Sequence, residues 1–158
     1  GDGCTLDGIQ CRDTTTDKEW LVHVSVATTV TDLRIKGCSF VGGAGSMTNS
    51  VLFAGTSVDA IIEDTYIKVT SSDDVIDHLA AASDNLIVRR SVVITGTAGY
   101  CLRYKSDGTG IAHDNRFAYN KVNAEISVGA AAWWFNNYAS NTIAESGLLD
   151  PTTSHAIP

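Results

Sequence analysis

Three stretches decide how this chain folds: Leu33-Arg34-Ile35-Lys36-Gly37-Cys38-Ser39-Phe40, Ala60-Ile61-Ile62-Glu63-Asp64-Thr65-Tyr66-Ile67 and Leu86-Ile87-Val88-Arg89-Arg90-Ser91-Val92-Val93. Each reads apolar-x-apolar-x-x-small-x-apolar. Residues 110–117 repeat the form through Ala112, Asn115 and Phe117. Weaker copies occupy residues 4–11, through Leu6 and Ile9, and residues 132–139, through Trp134 and Asn137. The third positions are Leu6, Ile35, Ile62, Val88, Ala112 and Trp134, spaced by 29, 27, 26, 24 and 22 residues. A second apolar run recurs between them with the same drift, at residues 21–26, 51–54, 75–79, 100–104 and 125–128. Two short strand signals per period, separated by Gly, Ser, Thr, Asp and Asn, mark a repeat built from strands and turns.

Helical repeats of similar period need a helix in each unit. Linkers such as Val41-Gly42-Gly43-Ala44-Gly45-Ser46 and Thr95-Gly96-Thr97-Ala98-Gly99 cannot sustain one. Antiparallel hairpins would place tight Asp-Gly or Asn-Gly turns between the strands, and the Asp-Gly pairs at 2–3, 7–8 and 107–108 do not fall there. The expected fold is therefore all-β: a parallel β-helix of about six coils, forming one domain over residues 1–158. Leu6, Ile35, Ile62, Val88 and Ala112 should stack as an inward ladder, with Asp7, Lys36, Glu63, Arg89 and His113 facing out. Cys38, Thr65, Ser91, Asn115 and Asn137 should form a small polar column at the turn, where short side chains can hydrogen-bond the backbone between coils.

Composition agrees. Val, Ile and Thr number 43 in 158 residues, against 9 Lys and Glu, which favours pleated strands over helix surfaces. Eleven basic against eighteen acidic residues give a net charge of −7, too little positive charge for a phosphate-binding face. No run of about eighteen apolar residues exists to span a bilayer as a helix. Neither nucleic acid nor a membrane is expected as a partner. The start at Gly1-Asp2-Gly3-Cys4 carries no signal-peptide pattern and is expected to belong to a processed or ordered part of a longer chain.

Cys4, Cys11, Cys38 and Cys101 have neither CxxC spacing nor a histidine at zinc-like distance, so no metal site is expected. They read as small buried residues and free thiols, with Cys11 and Cys38 near one turn of adjacent coils. A Cys4–Cys11 or Cys11–Cys38 disulfide is the alternative. Trp133-Trp134-Phe135 beside three alanines reads as a cap over the open end. A patch that docks a partner chain and a platform for sugar rings are the alternatives.

Chemistry is sparse. The catalytic candidates are Asp73, Asp74, Asp77 and His78, the kind of carboxylate group a polysaccharide-cleaving enzyme gathers on one face. On a strand Asp77 and His78 would point to opposite faces, which argues against a joint role and for a solvated turn. His113-Asp114-Asn115-Arg116 reads as a surface ion pair or subunit contact. Glu63-Asp64 and Arg89-Arg90 hold equivalent positions one coil apart and should pair. No phosphate loop, nucleophile elbow or metalloprotease motif is present, and no cofactor is implied.

The repeat, with the closing stretch Asn136-Asn137-Tyr138-Ala139-Ser140-Asn141-Thr142-Ile143-Ala144-Glu145-Ser146-Gly147-Leu148-Leu149, resembles the right-handed β-helix proteins of tailed-bacteriophage virions over roughly residues 30–150. The resemblance implies a right-handed helix and a structural virion protein, commonly trimeric. Such a protein would be a capsid decoration (cement) protein, in contact with the major capsid protein or other virion proteins, or part of a tail fibre or spike. The related pectate-lyase-like solenoids cleave acidic polysaccharides, so a polysaccharide-binding or -cleaving β-helix is the second reading and an adhesin-like fragment the third. A short rod with no coiled-coil stem suits the capsid surface better than the tail. Ile61, Ile87 and Ile111 should line up on consecutive coils and, with Trp133, Trp134 and Phe135, form the interface of a homotrimer or the contact with a shell.

Overall fold

β-branched residues alternate with polar ones in runs only three to five residues long, and each run ends at a residue that turns the chain sharply. That punctuation yields short strands. The computed structural model describes residues 3–12, 22–24, 29–42, 51–69, 75–78, 85–95, 101–104, 109–118, 124–135, 138–139 and 143–149. Among the described residues there are nineteen strands and no helix.

The strands form four sheets, and all their pairings are parallel. The first sheet runs in the order Thr5–Asp7, Arg34–Lys36, Ile61–Glu63, Leu86–Arg89, Thr109–His113, Ala124–Phe135 and Ile143–Leu149. The second contains Gln10–Arg12, Ser39–Val41, Tyr66–Lys68, Val92–Ile94, Arg116–Ala118 and Tyr138–Ala139. A third holds Val22–Val24, Val51–Phe53, Ile76–His78 and Leu102–Tyr104; a fourth pairs Thr29–Thr31 with Thr56–Val58. Up to Ala124–Phe135, neighbours in the first sheet are one sequence repeat apart.

The register is the one the repeat dictates. Leu6 pairs with Ile35, Ile35 with Ile62, Ile62 with Val88, Val88 with Ala112, and Ala112 with Trp134. Ile35, Ile62 and Val88 are fully buried, whereas Leu6, on the edge strand, is half-buried. Phe40, Ile67 and Val93 supply the second sheet's contribution to the core, and Val51, Phe53, Ile76 and Leu102 the third's.

Between the first and second sheets the chain bends through a left-handed residue: Gly8, Gly37, Asp64, Arg90 or Asp114, with φ between 49° and 65°. Glycine adopts this conformation without strain and aspartate tolerates it. The residue after the bend is the small polar one. The Cys38 N–H donates to Thr65 Oγ1 at 3.4 Å, the Thr65 N–H to Ser91 Oγ at 3.2 Å and the Ser91 N–H to Asn115 Oδ1 at 3.0 Å. Thr65 Oγ1 in turn donates to the Glu63 carbonyl, Ser91 Oγ to that of Arg89 and Asn115 Nδ2 to that of Val88. All four side chains are buried, and the Cys38, Thr65 and Ser91 amides each find their partner on the next repeat. Asn137 lies outside the described residues.

Glu63 faces away from the core as expected, yet it is only 7% exposed, because the next repeat's arginines cover it. Three expectations are corrected. Cys4 is exposed and Cys11 half-buried, since both belong to the edge repeat, which has a neighbour on one side only; Cys38 and Cys101 are buried. Residues 125–128 are not a separate second run. They join the following segment in one twelve-residue strand, Ala124–Phe135, whose single glycine, Gly129, does not break it. That strand is also not the open end: Ile143–Leu149 pairs along it, Trp133 opposite Leu149, and covers its edge.

Two measurements check this arrangement. Ile62→Ala should lower unfolding stability by about 2–5 kcal/mol in denaturant titration, and Asn115→Ala by about 1–3 kcal/mol, as it removes the acceptor of the buried Ser91 amide. Thiol titration of the native chain should label Cys4 at once and Cys38 and Cys101 only on unfolding, reaching four without reductant; a final count of two would mean a disulfide.

Candidate functional site: the outward face of the first sheet

Residues flanking the inward ladder form two outward columns on the first sheet. The column after it holds Asp7, Lys36, Glu63, Arg89 and His113, paired in that order. Signs alternate from Asp7 to Arg89, and Glu63 and Arg89 at its centre are engaged with each other. Arg89 places Nε 2.9 Å and Nη2 2.7 Å from Glu63 Oε2, while Arg90 Nη2 lies 2.8 Å from the same oxygen. Arg90 also grips Asp64 with both ends of its fork, Nε to Oδ1 at 2.8 Å and Nη2 to Oδ2 at 2.9 Å. This forked contact accompanies an arginine at φ 49°, where a long side chain is strained. The expected pairing of Glu63-Asp64 with Arg89-Arg90 is therefore present.

The hydrogen bond from Arg89 holds the Glu63 carboxyl below its ordinary range, aided by Arg90 and opposed by burial. Asp64 is lowered mainly by its hydrogen bonds from Arg90, and Arg90 is raised in return. Carboxylates so committed cannot serve as proton donors near neutrality. His113 Nδ1 lies 2.6 Å from Asp114 Oδ2, within hydrogen-bonding distance; Arg116 is exposed and Asn115 buried.

The column before the ladder is apolar from Ile61 onward. Arg34 pairs with Ile61, Ile61 with Ile87, Ile87 with Ile111, Ile111 with Trp133, and Trp133 with Leu149. Ile61 and Ile87 are half-buried rather than fully open to water. Phe135 falls in the charged column, opposite His113, and Trp134 in the inward ladder, opposite Ala112. The three aromatics thus occupy three different columns.

Asp73 and Asp74 lie outside the described residues. Asp77 shares the register of exposed His23, whereas His78 shares that of buried Phe53. The structure does not bring these two into one site. Among the described residues no group of three or more His, Cys, Asp or Glu could hold a metal ion, and no helix is long and apolar enough to cross a membrane.

A second left-handed bend precedes the first four strands of the first sheet, at Gly3, Asp32, Asp59 and Asn85. Asn85 Nδ2 donates to Asp59 Oδ1 at 2.6 Å. Sequence reasoning passed over this column; its signal was an Asp or Asn three residues before Ile35, Ile62 and Val88. No protein-family model, curated protein or solved structure matches the chain.

The lowered carboxyls fix the sign of a pH effect. Their folded values lie below the unfolded ones, near 4.3 for Glu and 3.9 for Asp. Their contribution to stability is thus complete above those values and is lost as pH falls through the folded ones. The thermal midpoint should stay level from pH 8 to about 5 and fall below about 4; Glu63→Gln/Asp64→Asn should lower it at pH 7 and flatten the acid slope.

Proposed function

We propose that this chain is a right-handed parallel β-helix of about six coils that works by contact, as a capsid decoration (cement) protein of a tailed-bacteriophage virion. Parallel pairing at a repeat of 22 to 29 residues, with buried residues on three sheets, supports the helix. One observation carries the role. The register row Ile61, Ile87, Ile111, Trp133 runs unbroken across four strands, beside acidic side chains already neutralised within the chain. An apolar seam of this kind serves association, because its partially exposed isoleucines gain from leaving water and little nearby charge must be desolvated. In this reading rods pack as a homotrimer through the seam, and the trimer sits on the shell against the major capsid protein.

The test is assembly. Sedimentation at micromolar concentration should give a trimer, and Ile61→Asp/Ile87→Asp should give a monomer with an unchanged far-UV spectrum, unable to bind empty capsids. A wild-type monomer that cleaves an acidic polysaccharide would replace this reading with the tail-spike enzyme.

A further inference from the structure

Among the described residues the stack has one end at the first repeat, where Thr5–Asp7, Gln10–Arg12 and Val22–Val24 are each the last strand of their sheet. The inward residues Leu6, Cys11 and Val22 are half-buried there, whereas Ile35, Phe40 and Val51 on the next repeat are buried. Ile9, at the bend between Leu6 and Cys11, is 40% exposed. It holds the place that Cys38, Thr65, Ser91 and Asn115 take in later repeats, and the last three each accept the bend amide of the repeat before. An isoleucine side chain accepts no hydrogen bond, so a further repeat with the same bend would bury its amide unpaired. The end is thus unsuited to another turn of the same helix, yet its apolar side chains are partly in water.

This edge is complementary to itself. On either side of the Gly8–Ile9 bend the pattern is the same: Thr5, Asp7, Gln10 and Arg12 are exposed, and Leu6 and Cys11 at the strand centres are half-buried. The Cys4 carbonyl accepts from the Arg34 N–H at 2.8 Å, and the Gly8 N–H donates to the Lys36 carbonyl at 3.0 Å. Alternation along the strand then turns the backbone groups of Thr5 and Asp7 to the open edge. Past the bend the Ile9 carbonyl accepts from the Ser39 N–H at 2.8 Å, which turns those of Gln10 and Arg12 the same way. A second copy, rotated about a two-fold axis at the bend, sets Thr5 opposite Arg12, Leu6 opposite Cys11 and Asp7 opposite Gln10. In that antiparallel register both outward pairs present N–H and C=O to one another, and Leu6 meets Cys11 in the closer, non-hydrogen-bonded position. No like charges face each other, and Asp7 lies diagonally across from Arg12 of the second copy, within reach of its guanidinium. We infer that the first repeat is a head-to-head interface for a second copy of this chain, the strands 5–7 of each pairing antiparallel with the strands 10–12 of the other. Two pairs of such short strands make a small contact, in the class of weak, reversible interfaces. It lies at the end of the stack, whereas the isoleucine row runs along its side, so it goes beyond the capsid reading and does not rest on it.

The experiment is sedimentation of the whole chain carrying Ile61→Asp/Ile87→Asp, which removes the side contact. It should be a monomer at about 5 µM and a dimer at about 500 µM; should that variant misfold, the wild-type chain should double its mass over the same range. Asp7→Pro removes only an N–H that points to the open edge, and Ile9→Lys sets two cations across the axis; each should weaken association at least about tenfold. Arg12→Asp should weaken it about threefold, and Asp7→Arg/Arg12→Asp should restore it. In a Cys4→Ser chain, Leu6→Cys should give a covalent dimer on mild oxidation, since a directly opposed pair suits a disulfide, and Cys4→Ser alone should not. A mass that stays constant over that range, association unchanged by both Asp7→Pro and Ile9→Lys, or a crosslink formed only within one chain would each overturn the inference. A wild-type chain that is monomeric at about 5 µM and doubles by about 500 µM would count against the isoleucine seam and for this interface.

Discussion

The amide that follows each bend between the first and second sheets is the constraint on which the rest depends. It is buried, and the turn has taken it out of the strand ladder, so it must find an acceptor elsewhere. Thr65, Ser91 and Asn115 each provide one for the repeat before. A buried amide left unpaired costs about 1–3 kcal/mol, a large share of the stability of a domain this size. Apolar burial stabilises the stack more in total, but it is non-directional and would tolerate sliding among similar aliphatics. The polar column does not, because a slip of one residue would turn every acceptor away from its amide and every inward side chain outward.

Once the register is held, everything outside the core follows in columns. A position repeated along the chain becomes a neighbour in space, so opposite charges 26 residues apart meet at hydrogen-bonding distance. At the edge of the first sheet those meetings neutralise Glu63 and Asp64, beside the half-buried Ile61 and Ile87. The described strands of the second sheet contain Arg12, Lys68 and Arg116 and no Asp or Glu. One repeating interval thus lines up Ile61, Ile87 and Ile111 in one register row and Glu63, Arg89 and His113 in another.

Where reading the residues fell short, the errors lie at the ends of the stack and in the degree of burial. The final repeat was read as a cap because three aromatics fall together, yet the glycine-bearing stretch before them continues the same strand and Ile143–Leu149 pairs along it. Cys4 and Cys11 were given the burial of central residues, although an edge repeat has a neighbour on one side only. Arginine at a left-handed bend could not be foreseen at all. Propensity disfavours it, and the bidentate contact with Asp64 becomes visible only when the two repeats are stacked.

By itself the sequence determined that the chain is built of strands, which residue of each repeat faces the core, and which residues meet across strands, because these follow from local alternation and from one repeating interval. The spacing that puts Ile35 on Ile62 also puts Glu63 on Arg89. Only the tertiary structure decided that Glu63 is buried and that Arg89 and Arg90 converge on one of its oxygens. Burial and pairing depend on which side chains neighbouring strands bring over a given atom, and that is a property of the stacked repeats rather than of any one of them.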